Sequence, residues 1–293
     1  MFKNGFQGGA SFEVLSSQGT AQSLSNWKIH HKGFVKRLYE KELKGYCHSC
    51  ENLGKLTLPK DDKQSAYLIQ PILVLQMYSS VGQPLSIELC MTDLTHNHRR
   101  FFISTFQKEV KMTAFHCAIP ITNLKRGVWM NLCIDLVSLL SDNFKGQAFR
   151  SLDSISLLGT FRIRRVFTLK RPPPDTTGDD YGEPNMPFNT EPIPKALQFP
   201  VGVPHFNQVL NMSRLVYLLQ GASRPTRPTP LPESHSPLPN VAFGRTIESH
   251  KAQPVVHKSK PPPVLPPIEE HRTTNKKQIP SVSQQVRLFD CFW

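Results

Sequence analysis

The distribution of proline is the feature that most constrains how this chain can fold. Only four of the 26 prolines precede residue 171, and the other 22 fall in the last 123 residues. A segment that is nearly one-fifth proline cannot sustain the hydrogen bonding of a helix or a sheet, and it favours coil or polyproline II. The sequence therefore predicts one folded domain over residues 1–170, followed by a disordered tail over residues 171–293.

Within the tail, apolar residues recur at helical spacing between residues 205 and 220. The stripe consists of Phe206, Val209, Leu210, Tyr217 and Leu218. Positions three and four apart lie on one face of a helix, so the pattern predicts a short amphipathic helix. Because a helix of this length is marginal in water, we expect it to dock on a partner or on a groove of the domain. A transient helix without a partner is the alternative.

A second tail segment, residues 260–266, reads Lys-Pro-Pro-Pro-Val-Leu-Pro. A basic residue followed by PxxP spacing is typical of polyproline ligands that bind aromatic-lined grooves. The segment predicts a polyproline-binding domain as a partner of the tail.

Short apolar runs separated by turn residues fill the first 170 positions. In residues 85–92, Ile87, Leu89 and Met91 alternate with other side chains at the period of a half-buried strand. Nine or ten such runs without long helices between them predict an all-β sandwich or barrel. We interpret residues 81–84 as a hairpin loop, and we expect Trp27 and Trp129 to lie in the core.

Positive charge is concentrated in the predicted domain, which carries 22 Lys and Arg against 12 Asp and Glu. Such a balance favours an anionic partner, such as nucleic acid, an acidic membrane or an acidic protein filament. The candidate contact residues lie on predicted strands and on one predicted hairpin tip: Arg99, Arg100, Lys125, Arg126, Arg162, Arg164 and Arg165. A solvated basic surface that serves only solubility is the alternative interpretation.

Sequence patterns of catalysis, such as a G-x-S-x-G elbow, HExxH or a phosphate-binding glycine loop, do not occur in this sequence. Cys47 and Cys50 have the spacing of half a zinc site, but a closed site needs four ligands. We interpret them as buried thiols, and His96 and His98 as a polar loop tip. The sequence thus predicts no enzymatic activity, no cofactor and no metal site.

Targeting and membrane signals are also missing from the sequence. The first residues lack the apolar stretch of a secretory signal, and no run of about 20 apolar residues occurs anywhere. We therefore expect an intracellular protein with reduced thiols and no membrane partner.

An ordered set of motifs in residues 1–170 resembles one known family. The motifs are Met1-Phe2-Lys3-Asn4, Phe6-Gln7-Gly8-Gly9, Trp27-Lys28, residues 56–60, 68–70 and 74–76, Arg99-Arg100, Trp129, Asn131 and residues 162–167. Together they resemble the cilia- and flagella-associated protein 20 family, most closely its domain-containing paralogue with a long tail. Two places depart from the family pattern. Pro71 falls within a family strand, which predicts a displaced, bulged or edge strand, and residues 46–51 replace an apolar strand.

The resemblance implies an antiparallel, jelly-roll-like β-sandwich similar to carbohydrate-binding modules, without enzymatic activity. It implies a structural or scaffolding role, because the founding member sits at the inner junction between the A and B tubules of ciliary doublet microtubules. The implied partners are tubulin and other axonemal proteins, and the implied location is the axoneme or basal body, beside a cytoplasmic or nuclear pool. The alternative function is an intracellular adaptor that binds nucleic acid or a soluble protein, although no base-stacking motif supports nucleic acid.

Overall fold

The computed structural model describes residues 1–19, 24–121, 124–178 and 190–212. Its strands are, in chain order, β1 Ser11–Ser16, β2 Lys28–Ile29, β3 Val35–Glu40, β4 Gly45–Leu58, β5 Ile72–Ser79, β6 Leu85–Asp93, β7 His98–Ser104, β8 Lys111–Met112, β9 His116–Pro120, β10 Trp129–Asp135, β11 Phe149–Leu169 and β12 His205–Leu210. One helix, α1, spans Leu136–Asn143. Its N-cap is Asp135, whose side chain accepts hydrogen bonds from two amides of the first turn. No helix in the described ranges is long and apolar enough to cross a membrane.

The strands form one curled sheet in the order β12-β10-β5-β11-β6-β7-β9-β8. The long strand β11 joins two walls of this sheet, because its second half pairs with β5 and its first half pairs with β6. We call the two sides the β5 wall (β12, β10, β5 and residues 161–169) and the β6 wall (residues 149–159, β6, β7, β9 and β8). Strands β1 and β4 pair along the other side of β11.

Apolar side chains from both walls enclose one main core. In β6 the alternation is as predicted, with Ile87, Leu89 and Met91 fully buried. Trp27 and Trp129 are 2% and 0% exposed, so the prediction that both lie in the interior is confirmed. The predicted all-β, sandwich-like fold is likewise confirmed. Two strand pairs, β10 with β12 and β7 with β9, are parallel, whereas the remaining pairs between the strands are antiparallel.

Two predicted hairpins are wrong. Residues 81–84 connect β5 to β6, but each of these strands pairs with a different half of β11. The connection therefore crosses from one wall to the other. Residues 124–127 likewise precede β10 of the β5 wall and follow β9 of the β6 wall, so Lys125 and Arg126 lie on a crossover rather than on a hairpin tip. Turn residues in the sequence indicate where a strand ends, but they do not predict which strand it pairs with.

Neither departure from the family pattern interrupts the sheet. Pro71 immediately precedes β5, so that it removes no donor from the strand ladder, and its carbonyl accepts the amide of Leu136 at 2.9 Å. Strand β5 is central, between β10 and β11. Residues 46–51 belong to β4, and residues 46–50 pair with β3 on one side.

The folded domain extends beyond residue 170, which corrects the boundary predicted from composition. In residues 190–204, which we call the cover segment, the side chains of Ile193, Leu197, Phe199 and Val203 are buried. They pack on the outer side of the β5 wall, in two clusters that include Ile72, Val74, Cys133, Phe167, Leu169, Leu43, Cys47 and Trp129. Prolines are compatible with this segment, because it is held by packing of its side chains and does not need the backbone hydrogen bonds of a strand.

The predicted helix at residues 205–220 is wrong in its first part, because His205–Leu210 is strand β12. Phe206 and Leu210 contact the main core, whereas Val209 packs with the outer cluster. A separation of four residues places two side chains on one face in a helix and also in a strand. Parallel hydrogen bonding along β10 decides in favour of the strand. Tyr217, Leu218 and residues 260–266 lie outside the described residues.

Candidate functional site

Arg99 and Arg100 are neighbours on β7, and strand alternation sends them to different environments. Arg99 is buried, and its Nε donates a hydrogen bond to Asp93 Oδ2 at 2.9 Å. Its guanidinium also lies 4.7 Å from the centroid of the Phe144 ring. Arg100 is exposed, with its Nε 3.5 Å from Glu88 Oε1. Of this pair, only Arg100 is available to a partner.

Two arginines of β11 form ion pairs within the domain. Arg162 Nη1 donates to Glu40 Oε2 at 2.6 Å, and Arg165 Nη1 donates to Glu13 Oε1 at 2.5 Å. A shift in the pairing of β11 with β5 between Ile163 and Arg165 marks a β-bulge. The bulge explains why Arg165 does not follow simple alternation along the strand.

Arg164 is the arginine at this bulge, and it lies beneath the cover segment with 6% of its surface exposed. Its Nη1 donates to Gln76 Oε1 at 2.5 Å and to the carbonyl of Gln198 at 3.2 Å. The Phe199 ring centroid is 5.7 Å away from the guanidinium. Burial lowers the pKa of Arg164 to about 10, so that the side chain remains a cation at neutral pH. Arg164 therefore fastens the cover segment to the sheet.

The two basic residues of the crossover bind neighbouring loops. Lys125 Nζ donates to the carbonyl of Thr177, and its amide donates to Gln208 Oε1 at 3.2 Å. Arg126 Nη1 donates to the carbonyl of Gln83, and burial lowers the pKa of Arg126. Both side chains therefore support the chain around them.

The structure does not gather the seven predicted contact residues into one exposed patch. Arg99 and Arg100 belong to the β6 wall, whereas Arg162, Arg164 and Arg165 belong to the part of β11 that pairs with β5. The expectation that Arg99 and Arg164 face a partner is wrong, because both are buried. A sequence shows that arginines are close along the chain, but pairing and bulges decide which of them reach solvent.

A different basic group, which we call the β2 cluster, lies at the edge formed by β2 and the end of β4. It consists of Lys28, His30, His31 and Lys55. The amide of His30 donates to the carbonyl of Lys55 at 3.1 Å, and its Nε2 is 3.0 Å from Thr57 Oγ1. Sequence reasoning missed this group, because Lys55 is 27 positions from Lys28 and reaches it only through strand pairing.

The charges of the β2 cluster act on one another. The pKa of His30 is lowered, first by partial burial and then by the positive charges of Lys55 and Lys28. Asp62 opposes this effect, and its carboxylate is 2.5 Å from Lys28 Nζ. Lys28 and Lys55 are the cations that act on His30, and Asp62 is the carboxylate that opposes them, so an anion bound beside Lys55 would relieve the repulsion between the lysines. The cluster is thus the candidate anion-binding surface of the domain.

Cys47 and Cys50 lie on β4, and three residues along a strand place them on opposite sides. Cys47 packs in an outer cluster with Trp129, whereas Cys50 belongs to the main core. Burial raises the pKa of Cys47 to about 11 and that of Cys50 to about 12. Their interpretation as buried thiols agrees with these positions.

Comparison with known proteins identifies relatives of this domain. Residues 1–180 match the family model described as the CFA20 domain. One relative, "Cilia- and flagella-associated protein 20" of Chlamydomonas reinhardtii, is 26% identical over 174 residues, which span 57% of this chain and 87% of the relative. The protein of the same name from Paramecium tetraurelia is 25% identical with the same coverage. Among solved structures, an exo-β-agarase aligns over 55% of this chain and 25% of its own length, with 10% identity and a TM-score of 0.30.

The fold defines a β-sandwich-like domain in which two walls of one curled sheet share a core. The family match covers more than half of the chain and includes every strand of this core except β12. The chain belongs to the CFA20 domain family, and the resemblance seen in the motifs is confirmed.

Proposed function

We propose that this protein is a non-enzymatic structural component of cilia and flagella that scaffolds axonemal microtubules, at the inner junction of doublets or at the basal body. The observation that carries the proposal is the family match over residues 1–180, together with the names of the two relatives. The chain's net charge of +13 supports it, because a basic protein is attracted to acidic filaments.

The β2 cluster is the surface through which the domain would meet tubulin. Its lysines are half-buried, and His30 and His31 are exposed beside them. Long basic side chains at a sheet edge can reach the acidic residues of a filament without rearrangement of the fold. Attraction of this kind acts over about 10 Å at about 0.1 M salt and over shorter distances at higher salt, so added salt weakens the binding.

Microtubule co-sedimentation at increasing salt tests the proposal. We expect the full chain to pellet with microtubules at low salt, and less of it to pellet once a protease has removed the acidic tubulin tails. The double exchange Lys28→Glu with Lys55→Glu should reduce binding at least tenfold. The matched control is Lys108→Glu with Lys111→Glu, because these exposed lysines lie near β8 at the opposite edge of the β6 wall and change the charge equally.

The outcomes test the contact surface and the function separately. Equal binding by the two double variants would remove the β2 cluster from the contact but leave microtubule association intact. Failure of the wild-type chain to pellet at low salt, combined with a mobility shift of RNA or DNA, would favour the nucleic-acid adaptor. A tagged copy in a ciliated cell provides an independent test, because we expect it along the axoneme or at the basal body.

A further inference from the structure

Three side chains of different chemistry meet on the outer face of the β6 wall. They are Cys90 on β6, His98 on β7 and Asp153 on β11. A sulfur, a ring nitrogen and a carboxylate oxygen from these residues all lie within 4.8 Å of one another. His98 Nδ1 is 3.7 Å from Asp153 Oδ2. The carboxylate is nearly buried, with 11% of its side chain exposed, whereas 72% of the His98 side chain is exposed.

Strand register brings these residues together. His98 pairs with Thr92 in the β6–β7 ladder, two positions from Cys90 on the same face. Ser154 pairs with Cys90, and a register shift just before Ser154 leaves Asp153 as an extra residue in β11. A β-bulge of this kind re-aims a side chain, and bulges are common beside functional sites. Here the bulge directs Asp153 toward Cys90 and His98.

Hydroxyl groups hold the Asp153 carboxylate in place. Ser65 and Ser151 donate to Oδ1 at 2.6 and 3.1 Å, and Thr92 donates to Oδ2. Thr92 Oγ1 is also 3.1 Å from His98 Nδ1, so one hydroxyl contacts two of the three residues. These donors are neutral, and they orient the carboxylate without cancelling its charge. Ligands of metal ions in proteins are positioned by outer partners of this type.

We propose that Cys90, His98 and Asp153 form a binding site for a zinc ion. Sulfur, imidazole nitrogen and carboxylate oxygen are the three donor types that zinc binds in proteins. A thiolate and a carboxylate together balance the two positive charges of the ion. Three protein ligands leave the fourth tetrahedral position to water, and the exposed side chain of His98 gives solvent access to the site. The sequence predicted no metal site and interpreted His96 and His98 as a polar loop tip, whereas the structure places His98 on β7 and His96 in contact with Arg150.

The Cys90 thiol must lose its proton before it can bind zinc, and its neighbours affect that step. In the metal-free chain, the pKa of Cys90 is raised to about 11, first by burial and then by the negative charge of Asp153. Glu88 also raises it, whereas Arg100 on the neighbouring strand lowers it. Because zinc binds the thiolate, binding must release the thiol proton.

Cobalt substitution gives a direct readout of the ligands. Metal-free full-length protein is titrated with Co²⁺, which we expect to give a thiolate-to-metal charge-transfer band and the visible spectrum of a four-coordinate ion. Addition of Zn²⁺ should abolish both signals, and competition with a chromogenic chelator then gives the zinc affinity. Cys90→Ser should remove the charge-transfer band. His98→Gln should weaken zinc binding by more than the roughly 10–100-fold that loss of an outer partner costs.

Matched variants make the result decisive. His96→Gln changes a histidine two positions before His98 in the chain, and Cys47→Ser with Cys50→Ser removes the thiols of the CxxC segment; neither should change the cobalt spectrum. Thr92→Val should weaken zinc binding about 10–100-fold while the charge-transfer band is retained. His98 is largely exposed, so His98→Gln tests the site without disturbing the fold, which circular dichroism verifies. The proposal is overturned if no thiolate band forms, if the band survives Cys90→Ser, or if His98→Gln binds zinc like the wild type.

Discussion

Gly159 on β11 lies directly opposite Gly54 on β4, at the point where β11 passes from one wall of the sheet to the other. Gly159 has φ +150°, a conformation that side chains strongly disfavour, and an added Cβ would lie 2.4 Å from the carbonyl oxygen of Pro84. The same carbonyl accepts the amide of Thr160 at 3.3 Å. The close approach of the 81–84 connection to β11 therefore requires a glycine at this position.

We expect Gly159→Ala to reduce the free energy of unfolding by about 3 kcal/mol or more, because backbone strain of about 1–3 kcal/mol adds to a backbone clash. Urea unfolding monitored by tryptophan fluorescence measures the change. The control is Gly82→Ala, where φ is +73° but nothing lies within 4 Å of the added atom. That exchange should cost only about 1–2 kcal/mol of conformational strain. Equal losses for the two variants would contradict the role of the close approach.

The adjacent arginines of β7 provide a second test. Arg99→Ala leaves the fully buried Asp93 carboxylate without its cation, so we expect a loss of about 3–5 kcal/mol in the free energy of unfolding. Arg100→Ala removes an exposed ion pair with Glu88 and should cost about 0–1 kcal/mol. Urea unfolding of both variants checks the difference. Similar values would mean that Asp93 keeps its charge compensated in another way.

The cover segment should contribute to the stability of the domain. Leu197 is 6% exposed and Val201 is 96% exposed, although both lie in the same segment. We expect Leu197→Asp to cost about 2–4 kcal/mol, because it removes apolar burial and places a carboxylate against the outer cluster. Val201→Asp should change the free energy of unfolding by less than about 0.5 kcal/mol.

Truncation tests the cover segment and β12 together. A chain that ends at residue 178 lacks both, so it should bind a hydrophobic dye more strongly and unfold at lower urea than one that ends at residue 212. Equal dye binding and equal midpoints would show that the cover segment is dispensable and would restore the earlier boundary near residue 170.

His48 predicts a pH dependence. Burial, followed by the positive charge of Arg37, lowers the pKa of His48 to about 4, against about 6.5 in an unfolded chain. As the pH falls below about 6.5, His48 binds a proton in the unfolded chain, whereas in the folded chain it stays neutral until about pH 4. The folded state therefore loses stability over this pH range. We expect a loss of about 2 kcal/mol between pH 7.5 and pH 5.

Urea unfolding at the two pH values measures the effect. His48→Gln should lose less stability on acidification than the wild type by about that amount, because the variant has no imidazole to protonate. The exposed His31→Gln is the control and should retain the wild-type dependence. An unchanged pH dependence in His48→Gln would refute the assignment.

The sequence alone determined the fold class and most of the strands. Alternation in β6 placed Ile87, Leu89 and Met91 inside, and apolar context placed Trp27 and Trp129 in the core, as the structure shows. These predictions succeeded because the period of a strand is local, and burial of one face follows from that period. The family was also readable, since its motifs recur in order along residues 1–170.

Tertiary structure decided everything that depends on which strands become neighbours. Phe206 and Leu210 fit a helix and a strand equally well, and only the ladder with β10 selected the strand. Arg99 and Arg100 are chemically alike, yet the position of Asp93 in the fold buries one and leaves the other at the surface. Proline content predicted disorder from residue 171. Residues 190–204 are nevertheless part of the folded domain, because their apolar side chains pack on the outer face of the β5 wall.

The two candidate sites share this dependence on pairing. The β2 cluster needs the β2–β4 ladder to bring Lys55 to Lys28, and the proposed zinc site needs two ladders and a bulge to bring Asp153 to Cys90 and His98. The sequence carried every one of these residues but gave no sign of their proximity. Strand register is set by the packing of the whole core, and no local pattern encodes it.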